Sequence, residues 1–194
     1  MKEIIVASTN EGKIREIRAM LEDIGIVVKS LKDVFDEDID IEENGTTFQE
    51  NALIKAKTIC DMIHKPVLAD DSGLEVNAMN GGPGIYSARF MGYDTSYDIK
   101  NQAIIDAVEG KDRGARFVCA MALCVPDEEP IFIEEYFNGE IYDHIEGENG
   151  FGYDPIFYVP ELHKTSASLT LEEKNQYSHR AKALKKLYTI LKEK

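Results

Sequence analysis

Short apolar runs alternate with segments of helical periodicity along the first part of this chain, and that alternation limits the possible folds more than any other feature. Ile4-Ile5-Val6-Ala7 has the β-branched composition of a buried strand, and residues 13–21 carry apolar side chains at helical spacing. A strand over 26–31, a helix capped by Thr46, and a strand over 66–69 that ends at two acids follow in the same order. This order predicts an α/β protein.

The second part of the chain carries strand signals without intervening helices. A helix predicted over 97–108 is followed by extended runs over 115–125, 131–137 and 140–145. The last two runs flank Asn138-Gly139, a dipeptide typical of two-residue hairpin turns. We therefore expect antiparallel strands here, and for the whole chain a mixed sheet flanked by helices. The length of 194 residues suits one domain or two closely joined lobes.

Charge and composition exclude several classes of partner. The net charge of −14 argues against a nucleic acid polymer, because such partners are bound by basic surfaces. No apolar stretch approaches the roughly 20 residues that span a bilayer, and the N-terminus lacks the apolar core of a signal peptide. The cysteines Cys60, Cys119 and Cys124 are odd in number and lie in apolar segments, which favours free thiols in a reducing compartment. We expect a cytoplasmic protein without a membrane partner.

The first candidate site is Ser8-Thr9-Asn10-Glu11-Gly12-Lys13, which joins the first predicted strand to the first predicted helix. The N–H groups at a helix N-terminus, the helix dipole and the lysine together favour an anion. The segment is not a Walker A loop, because Ala7 stands five positions before Gly12 and Ile14 follows Lys13. The alternative is a polar turn with a solvated lysine.

The second candidate is the pair Asp70-Asp71, at the carboxyl end of an apolar run. Ligands of open α/β sheets bind at that end of the strands. Paired carboxylates there favour Mg²⁺, a hard cation that prefers oxygen ligands. Because side chains alternate along a strand, we expect only one of the two to face the site. The alternative is a turn capped by an aspartate.

Three acids, Glu42, Glu43 and Glu50, surround the start of the helix that follows Thr46. The helix dipole favours acids at this position without any function. If their loop folds against Asp71, carboxylates from two distant segments would form a binding site for one Mg²⁺ and its waters.

The third candidate is Gly150-Phe151-Gly152-Tyr153-Asp154-Pro155. Glycines allow close approach of a flat ligand, an exposed Phe can stack on a base for about 1–3 kcal/mol, and an Asp can accept from ring N–H groups. The alternative is a tight turn with Phe151 and Tyr153 in the core. Further along, Lys174 and Ser178-His179-Arg180 could supply hydrogen-bond donors near a helix junction.

Six motifs thus stand in a fixed order along the chain: Ser8-Thr9-Asn10-x-x-Lys13, Thr47-Phe48-Gln49-Glu50-Asn51-Ala52, Ala69-Asp70-Asp71-Ser72-Gly73-Leu74, Gly82-Pro83-Gly84-Ile85-Tyr86-Ser87-Ala88-Arg89, Gly150-Phe151-Gly152-Tyr153-Asp154-Pro155 and Ser178-His179-Arg180. In this order and spacing the chain closely resembles the inosine triphosphate pyrophosphatase family, also described as dITP/XTP pyrophosphatases. The resemblance implies an elongated α/β fold with two lobes around a nucleotide-binding cleft, a homodimer and a Mg²⁺ requirement. It also implies hydrolysis of non-standard purine nucleoside triphosphates to the monophosphate and pyrophosphate.

The resemblance assigns roles to individual residues. It implies that Asp71 is the catalytic base and holds the metal together with Glu42, that Lys13 offsets the charge of the leaving group, and that Phe151 stacks on the purine. Asp70 stays open as an alternative base. The other implied substrate contacts are Ser8, Thr9, Asn10, Glu11, Gly12, Ser72, Gly152, Tyr153, Asp154, Lys174, His179 and Arg180.

Two other functions stay open at this point. A pyrophosphatase for other unusual nucleotides, such as modified pyrimidines, would share these motifs. A nucleotide-binding sensor would hold a purine triphosphate without hydrolysing it. The paired acids at Asp70-Asp71 argue against the sensor, because binding alone does not need them.

Overall fold

The alternation seen in the sequence becomes a single sheet with flanking helices. The computed structural model describes residues 1–37 and 39–193, and this part of the chain forms seven strands and five α-helices. The strands are β1 (Glu3–Val6), β2 (Val27–Ser30), β3 (Val67–Val76), β4 (Gly114–Cys124), β5 (Ile131–Ile141), β6 (Phe157–Val159) and β7 (Lys164–Thr165). The helices are α1 (Glu11–Leu21), α2 (Phe48–Ile63), α3 (Tyr97–Ala107), α4 (Leu171–Tyr177) and α5 (His179–Glu193).

The strands form one seven-stranded sheet in the order β2-β1-β3-β4-β5-β6-β7. β1 pairs in parallel with both β2 and β3, and β6 pairs antiparallel with β5 and β7. Parallel neighbours need a crossover connection, which α1 and α2 supply. The sheet is therefore mixed, and the α/β class with a mixed sheet and flanking helices that the sequence predicts is confirmed.

The predicted hairpin at Asn138-Gly139 is wrong, because both residues lie inside the continuous strand β5. A Cβ added at Gly139 would lie 2.5 Å from the carbonyl oxygen of Tyr158 and 2.7 Å from the ring of Phe157. These two residues belong to β6, which pairs with β5 at this point. The glycine therefore permits the close approach of a neighbouring strand.

The cap of α2 is Thr47, one residue later than predicted. The Thr47 hydroxyl accepts a hydrogen bond from the N–H of Glu50 at 3.1 Å. The carboxylate of Glu50 in turn accepts from the N–H of Thr46 at 2.6 Å and from its hydroxyl at 2.8 Å. Both threonines therefore contribute to the start of this helix.

The tertiary contacts divide the chain into two compact units. Unit 1 comprises Met1–Asp71, Cys119–Glu135 and Arg180–Lys194, and unit 2 comprises Ser72–Val118 and Tyr136–His179. The described helices include none that is long and apolar enough to cross a membrane. The three cysteines are free and buried, as predicted.

Unit 1 contains two apolar clusters. Ile14, Ile17 and Leu21 lie on one face of α1 and pack in a cluster that includes side chains of β1, β4 and α5. Ala52 and Ala56 of α2 belong to a second cluster with side chains of β1 and β3. The buried faces of α1 and α2 thereby fix the positions of the polar residues that these helices carry.

Unit 2 is built around aromatic side chains. The ring of Phe157 lies 4.4 Å from that of Phe117 and 5.1 Å from that of Phe137, measured between centroids. Leu74 of β3 and Ile104 of α3 complete the same cluster. β6, which contributes Phe157 to this core, follows the segment 150–155 in sequence.

The position of Asn138 and Gly139 within β5 leads to a test by two substitutions. Gly139→Ala should lower the free energy of unfolding by about 1–3 kcal/mol, because the added methyl group has no room. Asn138→Thr should change it by less than about 1 kcal/mol, because exposed strand positions accept a β-branched residue. Urea denaturation measures both values. An unchanged free energy of unfolding in Asn138→Thr would contradict a hairpin turn at this position. A large decrease would support one.

Candidate functional site

The loop before α1 is held by its own side chains. The Ser8 hydroxyl accepts from the N–H of Asn10 at 3.1 Å, and the Asn10 side chain, which caps the helix, accepts from the N–H of Lys13 at 3.1 Å. The N–H groups of Glu11 and Gly12 lie in the first turn, where a helix offers no backbone acceptor. The loop therefore has the donors and dipole that an anion site needs.

Asp70 is fully buried between two cations in unit 1. Its Oδ2 lies 2.9 Å from Nζ of Lys13 and 3.6 Å from Nε of Arg180. Nη1 of Arg180 also lies 2.7 Å from Oε2 of Glu16. Burial alone would raise the pKa of Asp70, but the charges of Lys13 and Arg180 outweigh it and hold the pKa well below its usual range. Asp70 is therefore a permanently charged anchor for Lys13.

Asp71 has a different environment. Its Oδ2 accepts from Nδ2 of Asn51 at 3.1 Å, and its Oδ1 lies 4.0 Å from Nζ of Lys55. Burial raises the pKa of Asp71 to about 6; the charge of Lys55 opposes this shift and that of Glu43 adds to it. A carboxyl group with this pKa can take up a proton near neutral pH, as a general base must.

The strand through these acids continues further than predicted. β3 runs on to Val76, and both Leu74 and Val76 are fully buried. Because side chains alternate along the strand, Asp70 meets residues of α1 and α5 while Asp71 meets residues of α2. Neighbouring carboxylates thus differ in partners and in acidity.

Glu43 shares the ammonium of Lys55 with Asp71. Its Oε2 lies 3.0 Å from Nζ of Lys55. The loop that carries it is fixed because Oδ1 of Asn51 accepts from the N–H of Gly45 at 2.8 Å, and a Cβ at Gly45 would lie 2.7 Å from that oxygen. Glu42, the acid that the resemblance implies as a metal ligand, is exposed on the same loop. Its role stays a prediction.

Three residues of this group escaped the sequence analysis as site residues: Asn51, Lys55 and Glu16. A signal was available for two of them. Asn51 and Lys55 are four residues apart and lie next to Ala52 and Ala56 in the buried stripe of α2. Polar side chains inside an apolar helical stripe mark either a buried network or a site. Glu16 has no comparable local signal, since its partner is distant in sequence.

In unit 2, Phe151 is presented on a tight loop. Its side chain is 44% exposed, and its N–H donates to Oδ2 of Asp154 at 2.9 Å. Gly150 has φ +76, and a Cβ there would lie 2.1 Å from the same carboxylate oxygen. Nζ of Lys174 lies 5.6 Å from the centroid of the Phe151 ring. The ring is therefore partly exposed to solvent and has a cation beside it.

The side chains of Asp154 and Tyr153 hold this loop through hydrogen bonds. Oδ2 of Asp154 also accepts from Nζ of Lys174 at 2.7 Å, and Oδ1 accepts from the Ser166 hydroxyl at 2.7 Å. The Tyr153 side chain is 4% exposed, and its hydroxyl donates to the carbonyl of Ser87 at 2.6 Å. A carboxylate has about four acceptor positions, so these bonds leave Asp154 little capacity for a ligand.

The other predicted residues lie at defined places. His179 begins α5, is buried, and stacks on Phe117 with a centroid distance of 5.0 Å and an interplanar angle of 16°. Ser72 is partly buried in β3. Unit 1 contains Ser8, Thr9, Asn10, Glu11, Gly12, Lys13, Glu42, Asp71 and Arg180, and unit 2 contains Ser72, Phe151, Gly152, Tyr153, Asp154, Lys174 and His179. The described residues include no group of three or more His, Cys, Asp or Glu placed to hold a metal ion.

The mixed sheet, the capped strand–helix junction and the paired acids define an α/β protein whose first strand leads into a helix N-terminus, a position that favours anions. The family model described as Ham1 family matches residues 4–190, and the chain belongs to this family.

Individual relatives match over nearly the full chain. A dITP/XTP pyrophosphatase from Bacillus licheniformis is 49% identical over 195 residues, which cover 98% of each chain. A dITP/XTP pyrophosphatase from Staphylococcus aureus is 44% identical and covers 98% of this chain and 97% of its own. Among solved structures, the Ham1 protein of Staphylococcus aureus superposes with a TM-score of 0.91 at 44% identity over 98% of each chain. A HAM1 protein from Coxiella burnetii gives 0.92 at 41% identity over the full length of both.

The raised pKa of Asp71 predicts a stability difference that depends on pH. The pKa of Asp71 in the folded protein, about 6, exceeds the ordinary value of about 3.9. The contribution of protonated Asp71 to the stability of the fold is therefore fully present below about pH 4 and is lost as the pH rises through about 6. In EDTA, the free energy of unfolding of Asp71→Asn should therefore exceed that of the wild type by up to about 3 kcal/mol at about pH 8. At about pH 4 the two values should be similar.

The matched control is Asp61→Asn on the exposed side of α2, where the carboxylate pairs with the exposed Lys57. Its effect on the free energy of unfolding should stay within about 0.5 kcal/mol at both pH values. Equal destabilisation by Asp71→Asn at both pH values would contradict the proposed environment of Asp71.

Proposed function

We propose that this protein hydrolyses non-standard purine nucleoside triphosphates, such as ITP, dITP and XTP, to the nucleoside monophosphate and pyrophosphate. The observation that carries the proposal is the contrast between the two neighbouring acids, a paired Asp70 and a protonatable Asp71, in the unit that also holds the predicted phosphate loop. The names of the Bacillus licheniformis and Staphylococcus aureus relatives support the same substrate class.

In this proposal Asp71 is the general base. The reaction requires water to attack the α-phosphorus, and a carboxylate that can take its proton assists the attack. Asp70 is the weaker candidate because Lys13 and Arg180 hold it in the charged, low-pKa form. Asn51 would orient Asp71, since its amide donates to Oδ2.

The oxygen donors near Asp71 fit Mg²⁺. Asp71 and Glu43 lie on either side of one cation, the ammonium of Lys55, so their carboxylates are already arranged around a positive charge. Mg²⁺ typically takes one or two protein carboxylates together with water and substrate phosphates. We assign Asp71 to this role with Glu43, or with Glu42 as the resemblance implies. Bound there, Mg²⁺ supplies neutralisation of phosphate charge.

Lys13 and the start of α1 would bind the triphosphate. Asp70 fixes Lys13 at 2.9 Å, and Asn10 and Ser8 fix the backbone whose N–H groups face a ligand. Positioned donors of this kind stabilise the charge that develops on the leaving pyrophosphate. Thr9, Glu11, Gly12 and Ser72 complete the predicted phosphate contacts.

Phe151 would stack on the purine, and donors near it would read the base. ITP and XTP present an acceptor at O6, whereas ATP presents an amino group, so a donor facing that position is left unpaired by ATP. We assign this contact to His179 or Lys174, with Gly152, Tyr153 and Asp154 shaping the loop. Arg180 is already engaged with Asp70 and Glu16, and we place its main contribution there.

The homodimeric state and the cytoplasmic location expected from the sequence complete this proposal. Light scattering on the purified protein measures the first directly. A pyrophosphatase for modified pyrimidine nucleotides is distinguished by a substrate panel, and a sensor by the absence of turnover.

Release of pyrophosphate from ITP is the central test. With Mg²⁺, wild-type protein should hydrolyse ITP, dITP and XTP much faster than ATP, and EDTA should abolish the reaction. Asp71→Asn should lower kcat by about 10²–10⁴-fold while the protein stays folded by circular dichroism. Asp61→Asn is the matched control and should keep wild-type rates. No pyrophosphate from ITP, or a near wild-type rate in Asp71→Asn, rules the proposal out.

The stacking role of Phe151 can be measured without turnover. The chain has no tryptophan, so Phe151→Trp introduces a single fluorophore at the proposed base contact. In EDTA, IMP should quench this fluorescence, because stacking places the base on the indole. Phe132→Trp, at a 40% exposed position of β5, is the control and should not respond. An unresponsive Trp at position 151 argues against stacking.

A further inference from the structure

The segment 82–89 has no role in the chemistry proposed above, yet the structure ties it to the loop that carries Phe151. The Ser87 carbonyl accepts from the Tyr153 hydroxyl at 2.6 Å. The Ser87 hydroxyl donates to the carbonyl of Gly84 at 2.6 Å and accepts from the N–H of Leu74 in β3 at 2.9 Å. This segment is therefore a fixed point between a core strand and the loop.

The first turns of α3 contact both partners. Tyr97 meets Tyr153 edge to face, with centroids 5.2 Å apart. Nζ of Lys100 donates to the carbonyl of Ala88 at 2.8 Å, and Nδ2 of Asn101 donates to the carbonyl of Gly152 at 3.1 Å. The three helix positions share one face because they are three and four residues apart.

Two of these side chains are polar and almost completely buried. Lys100 and Asn101 are each 1% exposed, whereas the next residue of the same face, Ile104, is apolar. Burying an ammonium and an amide on a helix face opposes folding unless they bind defined partners. Their partners are main-chain carbonyls of the segment 82–89 and of the Phe151 loop. Among the described residues of α3, the buried polar side chains are thus the two that bind these two pieces of backbone.

We propose that this face of α3, formed by Tyr97, Lys100 and Asn101, is the seat of the base-binding loop and that Asn101 is a positioning residue for base recognition. The inference rests on the proposed function, in which Phe151 stacks on the purine. Asn101 holds the carbonyl of Gly152, between Phe151 and Tyr153 in sequence. It thereby fixes the peptide group between Gly152 and Tyr153, one residue after the stacking ring.

Asn101→Leu tests this role with little change in volume. It removes the donor to Gly152, and it also removes Oδ1, a buried oxygen without a hydrogen-bond partner among the described residues, so the loss of stability should be small. We expect the KM for ITP and the Kd for IMP in EDTA to rise about five- to tenfold. kcat should stay within about twofold, because Asp71 and Lys13 are unchanged.

The control is Gln102→Leu on the same helix. Gln102 is exposed, and its amide donates to Asp106 at 2.8 Å. Gln102→Leu therefore replaces a side-chain amide by an apolar side chain at a position away from the loop. It should leave KM, Kd and kcat at wild-type values. If Asn101→Leu fails to fold, Asn101→Ser, which is too short to reach Gly152, takes its place in every measurement.

A double mutant separates positioning from general destabilisation. Tyr153→Phe removes another side-chain hydrogen bond that holds this loop, and its effect on KM should not add to that of Asn101→Leu if both act by fixing Phe151. The Kd measurements use the Phe151→Trp reporter, so they need neither Mg²⁺ nor turnover.

The outcomes distinguish the two proposals. If wild-type protein releases pyrophosphate from ITP and binds IMP, but Asn101→Leu has unchanged KM and Kd or loses kcat alone, the positioning role is overturned and the proposed function stands. If IMP quenches the reporter but ITP is not hydrolysed, the proposed function fails and a raised Kd in Asn101→Leu still supports the seat. If no purine nucleotide binds, both are overturned.

Discussion

The buried carboxylate of Asp70 is the interaction on which the position of Lys13 depends. It joins α1, β3 and α5 through Lys13 and Arg180, and Glu16 balances the second positive charge. Removing one member of such a group leaves a buried charge uncompensated, which costs about 3–5 kcal/mol. The arrangement therefore holds Lys13 in one place before any ligand arrives, and it relieves Asp70 of any role that requires it to change its protonation state.

The next residue has a different environment. Asp71 is adjacent in sequence, but strand alternation turns it toward α2, where burial and Glu43 raise its pKa while Lys55, Asn51 and Lys13 oppose the rise. Two identical side chains thus acquire different acidities from their surroundings: Asp70 stays charged, whereas Asp71 can take up a proton near pH 6. The different environments of these two adjacent acids are a consequence of strand geometry.

The features predicted correctly from the sequence are those with a local cause. The alternation of strands and helices follows from periodicity, and the buried free cysteines follow from the apolar segments in which they lie. Asn138-Gly139 was misread because the contact that selects glycine comes from β6, about twenty residues later in the chain. Glu16 and Asn101 were missed for the same reason: their partners, Arg180 and Gly152, are brought to them only by the fold.

In the loop at 150–155, the side chains that the resemblance implies as substrate contacts divide into one exposed ring and two groups that bind other parts of the protein. Asp154 and Tyr153 have the chemistry to touch a base, yet their polar atoms bind Lys174, Ser166 and Ser87. What such a loop offers a ligand is then the exposed ring of Phe151 and the backbone around it. A ring on a glycine-flanked loop stacks well only if the loop is rigid, because ordering it on binding would consume the stacking energy. The buried polar side chains that hold this loop therefore keep it in one conformation, as the proposed stacking requires.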